Sequence, residues 1–202
     1  MFLSLLLLSA APASIVAAGP RAAPDPSAKP AAPSADDDEL AAVCRRVLCR
    51  TPRPMHLRLA GGKSFDFTAP TPTPIVSGSL VTVMAGEKVL VEGTLKGGAI
   101  VDLIAVKAIT HPERTLIFQL KQDPTIGDGT TMILTVKSPF AGVVKYRLGM
   151  MPPDSEKLFK TSCCPLSQGH EVFETWPHPI FQLAATDFRI VDPKSAAAMR
   201  CE

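Results

Sequence analysis

The residues best suited to metal chemistry lie near the end of the chain, in the segment HEVFETWPH at residues 170–178. His170 and Glu174 are four residues apart, a spacing that places both side chains on one face of a helix. Imidazole and carboxylate groups are common zinc ligands, and His178 supplies a third group of this kind. One hypothesis is therefore a zinc or copper site formed by His170, Glu174 and His178.

Other features of the segment favour a simpler interpretation. The zinc-protease motif needs His at the first and fifth positions of a helix, and the fifth residue here is Glu174. Pro177 limits any helix, so solvated loop charges beside a buried Trp176 are the alternative. Copper sites need Met and His close together, and Met150 and Met151 have no histidine beside them in the sequence. Paired methionines in a loop are more typical of packing at an edge.

Composition and motifs exclude several classes of function. The chain has 21 Lys and Arg against 19 Asp and Glu, a balance that leaves no electrostatic footprint for nucleic acid. The serine hydrolase motif Gly-x-Ser-x-Gly and the glycine-rich phosphate loop do not occur. Asp123 and Asp128 offer too few oxygens for calcium. The leading prediction is a non-enzymatic binding or interaction module whose partner is another envelope or extracellular protein.

The five cysteines are Cys44, Cys49, Cys163, Cys164 and Cys201. In an oxidising compartment their default state is structural disulfides with one thiol left over. If Cys44 and Cys49 share a helix, they lie about 7.5 Å apart along its axis, too far to bridge each other. We therefore expect both to reach distant partners, so that disulfides join the helix and the C-terminal tail to the domain. One member of the adjacent pair is then a thiol, and a strained disulfide within that pair is the alternative.

The N-terminus has the pattern of an exported protein. An apolar run from residue 2 to residue 16 is too short to span a bilayer, and Val16 and Ala18 suit a signal peptidase that cuts after Ala18. No Lys or Arg precedes the run, which is atypical of a signal. We predict a signal peptide at 1–18, a disordered Pro/Ala-rich linker at 19–38, a periplasmic or secreted location and no membrane-spanning segment in the mature chain.

The remaining residues, 39–202, are predicted to form one β-sandwich domain behind a short N-terminal helix at 37–49. Apolar residues of the helix recur at helical spacing, and the basic cluster of Arg45, Arg46, Arg50 and Arg53 is interpreted as its solvated edge. After the helix, short alternating runs are separated by turn signals such as Gly61-Gly62. The pattern favours an all-β, antiparallel sandwich or small barrel.

Two details of the strand pattern concern topology. The proline-rich stretch at 69–74 cannot be a central strand and is expected to carry the chain from one sheet or edge to another. A change of phase at Ala184-Ala185 predicts a β-bulge. The segment LVTVMAGEKVLV at residues 80–91 resembles the first strands of bacterial immunoglobulin-like domains, and this resemblance implies an immunoglobulin-like sandwich without implying an activity.

Overall fold

The computed structural model describes residues 35–69, 71–195 and 199–201. Within these ranges the chain is mostly β-strand with one α-helix, and all paired strands are antiparallel. The predicted all-β sandwich with one short helix is therefore confirmed. The predicted signal peptide, and the predicted linker up to residue 34, lie outside the described residues. In the described ranges, no helix has the length and apolar character needed to cross a membrane.

The helix α1 spans Ala35–Cys44. The strands are β1 (Cys49–Arg50), β2 (Pro54–Arg58), β3 (Ser64–Thr68), β4 (Thr73–Pro74), β5 (Val76–Ser77), β6 (Leu80–Met84), β7 (Glu87–Lys96), β8 (Ala99–Val106), β9 (Thr115–Gln122), β10 (Met132–Lys137), β11 (Val143–Met151), β12 (Phe159–Thr161), β13 (Leu166–Ser167), β14 (Glu171–Trp176) and β15 (Gln182–Val191). Short 3-10 turns cover Ala60–Gly62 and Pro112–Arg114.

Eleven of these strands form two layers. One layer contains β5, β6, β15 and β11, with β12 and β13 pairing to β11, and the other has the order β8-β7-β9-β10-β14. A single pairing of Arg189 with Ala99 connects the layers along one edge. The turn between β6 and β7 passes from one layer to the other, because β6 pairs with β15 and β5 while β7 pairs with β8 and β9.

The core lies between the layers and follows the period-two pattern of the strands. In β10, Met132, Leu134 and Val136 are fully buried and alternate with partly exposed residues. Phe118 of β9 contacts Tyr146 of β11 and Phe188 of β15, with ring centroids 6.5 and 6.1 Å apart. Because β9 is hydrogen-bonded to neither β11 nor β15, these ring contacts join the two layers.

Two β-bulges interrupt the ladders, each at an aspartate with positive φ. Asp187 in β15 has φ 57° and Asp102 in β8 has φ 52°. In β15 the register moves from Thr186 opposite Arg147 to Arg189 opposite Lys145, so two residues face Tyr146 alone. The bulge predicted at Ala184-Ala185 therefore lies slightly later in the same strand.

The N-terminal segment departs most from the sequence prediction. The helix ends at Cys44 rather than at residue 49, because Cys49 and Arg50 pair with Pro74 and Thr73 instead of continuing the helix. The predicted helix at 37–49 therefore included a turn and the strand residue Cys49, and residues 35–38 of the predicted linker belong to the helix. Tertiary pairing has prevailed over helical spacing here.

Candidate functional site

The structure does not bring the three predicted metal ligands together. The segment forms the strand β14, in which residues four apart are separated by about 13 Å along the chain. His170 precedes the strand and is exposed, while Glu174 is buried and His178 follows the strand. Within residues 35–69, 71–195 and 199–201, no group of three or more His, Cys, Asp or Glu side chains could hold a metal ion.

Each of the three residues has its own surroundings. His170 Nδ1 lies 2.9 Å from the carbonyl oxygen of Gln168. Glu174 accepts a hydrogen bond from the backbone N–H of Cys164, and burial raises the pKa of the Glu174 carboxyl. His178 lines a separate recess of about 590 Å³ whose wall includes Phe65.

The cysteines pair differently from the prediction. Cys44 and Cys49 bridge each other, because the helix ends at Cys44 and the turn after it brings the two Cα atoms to 5.5 Å. The prediction that they reach distant partners is therefore wrong. Cys164 bridges Cys201 across 37 residues, which confirms that a disulfide joins the C-terminal tail to the domain.

The other member of the adjacent pair, Cys163, is a buried thiol whose Sγ donates to the carbonyl oxygen of Tyr146 at 3.0 Å. The Tyr146 hydroxyl is itself buried, and it has no hydrogen-bond partner among the described residues. Burial raises the pKa of Tyr146 well above its usual value, with smaller effects from Cys163 and Glu174. The core encloses this cluster. Neither Tyr146 nor Cys163 lines the recess beside His178 or the recess at β2 that is described next.

An open arrangement of polar groups lies at the hairpin formed by β2 and β3. The chain turns through Gly61 and Gly62, which have φ 70° and 72°, so the predicted glycine turn is confirmed. On one face Met55 and Leu57 are buried in the core. Phe67 packs edge-on against Phe181, with centroids 4.9 Å apart, and these contacts fix the hairpin to the sandwich.

Both edges of the hairpin carry outward backbone groups, and the β2 edge lines a recess. Antiparallel pairs alternate between residues that exchange hydrogen bonds and residues whose N–H and C=O point away from each other. Leu59 N–H donates to Lys63 C=O at 2.8 Å, so the next pair, Arg58 with Ser64, points outward, and so does His56 with Asp66. The N–H and C=O of His56 therefore face away from β3, without a hydrogen-bond partner in the described part of the chain.

A side chain from another strand already occupies one end of this edge. Gln122 accepts from Arg58 N–H at 2.8 Å through Oε1 and donates to Arg58 C=O at 2.9 Å through Nε2. Its amide thus bonds Arg58 as the backbone of a neighbouring strand does. At the other end, Arg53 Nη2 donates to Ala85 C=O at 3.4 Å.

The space between these two bridges is a groove of about 380 Å³, which we call the β2 groove. The open edge of β2 forms one wall, and the turn at Ala85-Gly86 together with the end of β9 forms the other. Its lining residues are Arg53, Pro54, Met55, His56, Leu57, Arg58, Ala85, Gly86, Lys121, Gln122 and Pro124.

A buried ion pair positions the Ala85-Gly86 wall. Arg50 donates from Nε to Glu87 Oε1 at 2.9 Å, and both side chains are only 9 % exposed. Glu87 Oε2 accepts from Met84 N–H at 2.9 Å, so this hydrogen bond links the two residues that flank the Ala85-Gly86 turn. Arg50 also donates to the carbonyl oxygens of Pro74 and Thr82. The interpretation of Arg50 as part of a solvated helix edge is therefore wrong.

The β2 groove is positively charged. Arg53, Arg58 and Lys121 line it, and Arg58 and Lys121 are exposed. Carboxylates near the groove are already engaged: Asp66 bonds His56 Nδ1 at 2.7 Å, and Asp123 accepts from the hydroxyl and the backbone N–H of Thr125. These hydrogen bonds lower the pKa of Asp66 and of Asp123, so both side chains stay ionised and turned towards their own partners.

Comparison of the chain with protein-family models, with curated proteins and with solved structures finds no match. The site is therefore interpreted from its own geometry. Sequence reasoning located the hairpin but not the groove, because the groove depends on Gln122 meeting Arg58 across 64 residues of chain.

Proposed function

We propose that the protein is an exported, non-enzymatic binding module, periplasmic or secreted, which holds an extended segment of another envelope or extracellular protein on the open edge of β2. The observation that carries this proposal is the outward N–H and C=O of His56 at the wall of the β2 groove. An unpaired strand edge is the template on which extended peptides add as a further strand.

The dimensions of the groove suit a short segment. From Pro54 to Arg58 the strand covers about 14 Å, so an added strand meets about four or five residues of β2. Within that length His56 offers one donor and one acceptor, and Pro54 offers an outward carbonyl. Each backbone hydrogen bond contributes about 0.5–1.5 kcal/mol net, which gives a weak, reversible complex unless side chains add to it.

The two disulfides support the extracytoplasmic part of the proposal. Cys44–Cys49 and Cys164–Cys201 are compatible with an oxidising compartment, where disulfides form and persist. The apolar N-terminal run and the small residues before residue 19 support export on independent grounds.

Hydrogen exchange at a single amide tests the strand-addition proposal. An array of capped seven-residue peptides is screened for binding to the full mature protein, and the best binders are added during exchange measurements. We expect a bound peptide to slow exchange of the His56 amide proton, while the Asp66 amide on the opposite edge of the hairpin keeps its rate. Binding that leaves the His56 amide unprotected would place the peptide elsewhere and overturn the proposal.

A matched pair of proline variants provides the second test. His56→Pro removes the outward N–H on the β2 edge, and Asp66→Pro removes the outward N–H on the β3 edge. Both variants also lose the same exposed hydrogen bond between His56 and Asp66, so they differ in the edge that is affected. We expect His56→Pro to weaken peptide binding about 3–10-fold and Asp66→Pro to leave it unchanged. Equal effects of the two variants would contradict the proposed edge.

A further inference from the structure

We infer that the β2 groove selects acidic extended segments, with carboxylate side chains on alternate residues. This inference rests on the strand-addition function proposed above, and it adds the chemistry of the partner. The backbone groups of the edge bind a peptide of any sequence, whereas the cations around the edge favour negatively charged side chains.

Two cations of the groove make no ion pair within the described chain, although Asp123 lies close enough to Lys121 for the two charges to interact. Arg58 and Lys121 have no carboxylate within ion-pair distance among the described residues. Arg53 lies 4.0 Å from Glu87, but Glu87 is already paired with the buried Arg50 at 2.9 Å. The three groups of that cluster therefore keep one net positive charge. A negatively charged partner gains attraction here without displacing an existing ion pair.

The spacing of the cations indicates several carboxylates rather than one. Arg53 and Arg58 are five residues apart, which corresponds to about 17 Å of extended chain, and Lys121 lies on the opposite wall. A single terminal carboxylate needs donors that converge on one point. Side-chain carboxylates repeated along a strand match a distributed set of cations better, so we commit to acidic side chains as the ligand groups.

The two faces of β2 set the order of residue types in the partner. Pro54, His56 and Arg58 are exposed, whereas Met55 and Leu57 point into the core. A strand added in the plane of the hairpin alternates in the same way. Its acidic residues therefore share the exposed face with Arg58, and its intervening residues, which face the apolar side of the hairpin, are small and apolar.

Three capped, fluorescently labelled peptides test the inference by fluorescence anisotropy. They share the pattern Ala-X-Val-X-Val-X-Ala, with X being Glu, Gln or Lys. We expect the Glu peptide to bind the full mature protein about 10-fold more tightly than the Gln peptide at low salt, and the Lys peptide to bind least. Raising the ionic strength from 0.01 M to 1 M shortens the Debye length from about 30 Å to about 3 Å and is expected to remove most of the difference.

Charge-neutral variants identify the cations responsible. Arg58→Gln and Lys121→Gln are each expected to weaken binding of the Glu peptide about 2–5-fold, as is typical of exposed charge pairs, and to change binding of the Gln peptide by a smaller factor. Arg58→Lys keeps the charge and is expected to retain most of the affinity. Lys160→Gln, on β12 in the other layer, serves as the control for loss of an exposed lysine.

The possible outcomes separate the inference from the function on which it rests. Equal affinities for the Glu and Gln peptides overturn the acidic preference and leave strand addition intact. Absence of binding by all three peptides and by the array overturns both. Self-association of the protein that is lost in His56→Pro identifies a second copy of the chain as the occupant of the edge, and this also overturns an acidic partner.

Discussion

The two ends of the described chain are attached to the sandwich by different means. The N-terminal segment, residues 35–50, has a disulfide that closes only a short local loop between Cys44 and Cys49. Its long-range attachment comes from Arg50, whose guanidinium bonds Glu87, Thr73, Pro74 and Thr82. The C-terminal tail is attached covalently, because the Cys164–Cys201 disulfide spans 37 residues.

Each end has one contact that shapes the local backbone and another that fixes the segment to the sandwich, and the disulfide has the first role at one end and the second role at the other. At the N-terminus the covalent bond shapes the turn, and electrostatic contacts fix the segment in place. At the C-terminus the covalent bond fixes the tail, and the Glu174 carboxylate shapes the local backbone by accepting from Cys164 N–H. Variants that remove the ion pair and each disulfide separately test these assigned roles.

The largest effect is expected from Arg50→Met. The substitution leaves Glu87 buried without its closest cation and is expected to lower the free energy of unfolding by about 3–5 kcal/mol in chemical denaturation. Arg147→Met, which removes the more exposed pair with Asp187, serves as the control and costs at most about 1 kcal/mol. If the double variant Arg50→Met, Glu87→Gln is as unstable as Arg50→Met alone, the ion pair is not the anchor.

Removal of the C-terminal disulfide by Cys164→Ser together with Cys201→Ser ranks second. Loss of a 37-residue loop closure is expected to cost up to about 4 kcal/mol in unfolding free energy. Both cysteines are replaced, because a single change leaves the other member of the pair as a new thiol. A double variant with wild-type stability would show that the tail contributes nothing to the fold.

The local disulfide is expected to matter less. Cys44→Ser together with Cys49→Ser opens a loop with a sequence separation of 5, and the chain-entropy estimate is about 2 kcal/mol. The same denaturation experiment measures the difference between the two double variants.

Thiol titration of the oxidised wild type is expected to find one reactive thiol after unfolding, that of Cys163. A titre of five thiols would contradict both disulfides.

The smallest effect concerns the pH dependence due to Glu174. Because burial raises its folded-state pKa above the unfolded value, the folded protein binds the proton more tightly. The contribution to stability is therefore full below the unfolded pKa and is lost as the pH rises through the folded pKa. Glu174→Gln keeps an acceptor for Cys164 N–H and is expected to flatten this slope in denaturation curves measured from pH 4 upwards. If the slope of unfolding free energy against pH is the same in Glu174→Gln as in the wild type, other titrating groups cause the pH dependence.

The strand pattern of the sequence predicted most of the sandwich, because burial between two layers imposes a strict period of two. Two strands lie within the alternating segment at residues 80–91, and Gly61-Gly62 forms the predicted turn. Cys44, Cys49 and Arg50 were misplaced for one common reason. Apolar residues around Cys44 do recur at helical spacing, but the pairing of Cys49 and Arg50 with Pro74 and Thr73 is a long-range event that no local pattern records.

The candidate site was less accessible to sequence reasoning than the fold. The Glu174 side chain is buried at the register position opposite Leu134, which only the pairing of β14 with β10 reveals. The β2 groove depends on register in the same way, since the outward direction of His56 follows from the single bond between Leu59 and Lys63. Residue type and spacing carry no trace of either fact.

The amide of Gln122 has a consequence for self-assembly. By occupying Arg58, it leaves His56 as the only residue of β2 whose N–H and C=O both face outward without a partner in the described chain. Extended edges promote unlimited stacking of strands from one molecule to the next, and natural proteins shorten or block them. By bonding Arg58, the Gln122 side chain therefore leaves β2 an open edge that is long enough for a short peptide and too short for strands of successive molecules to stack on it.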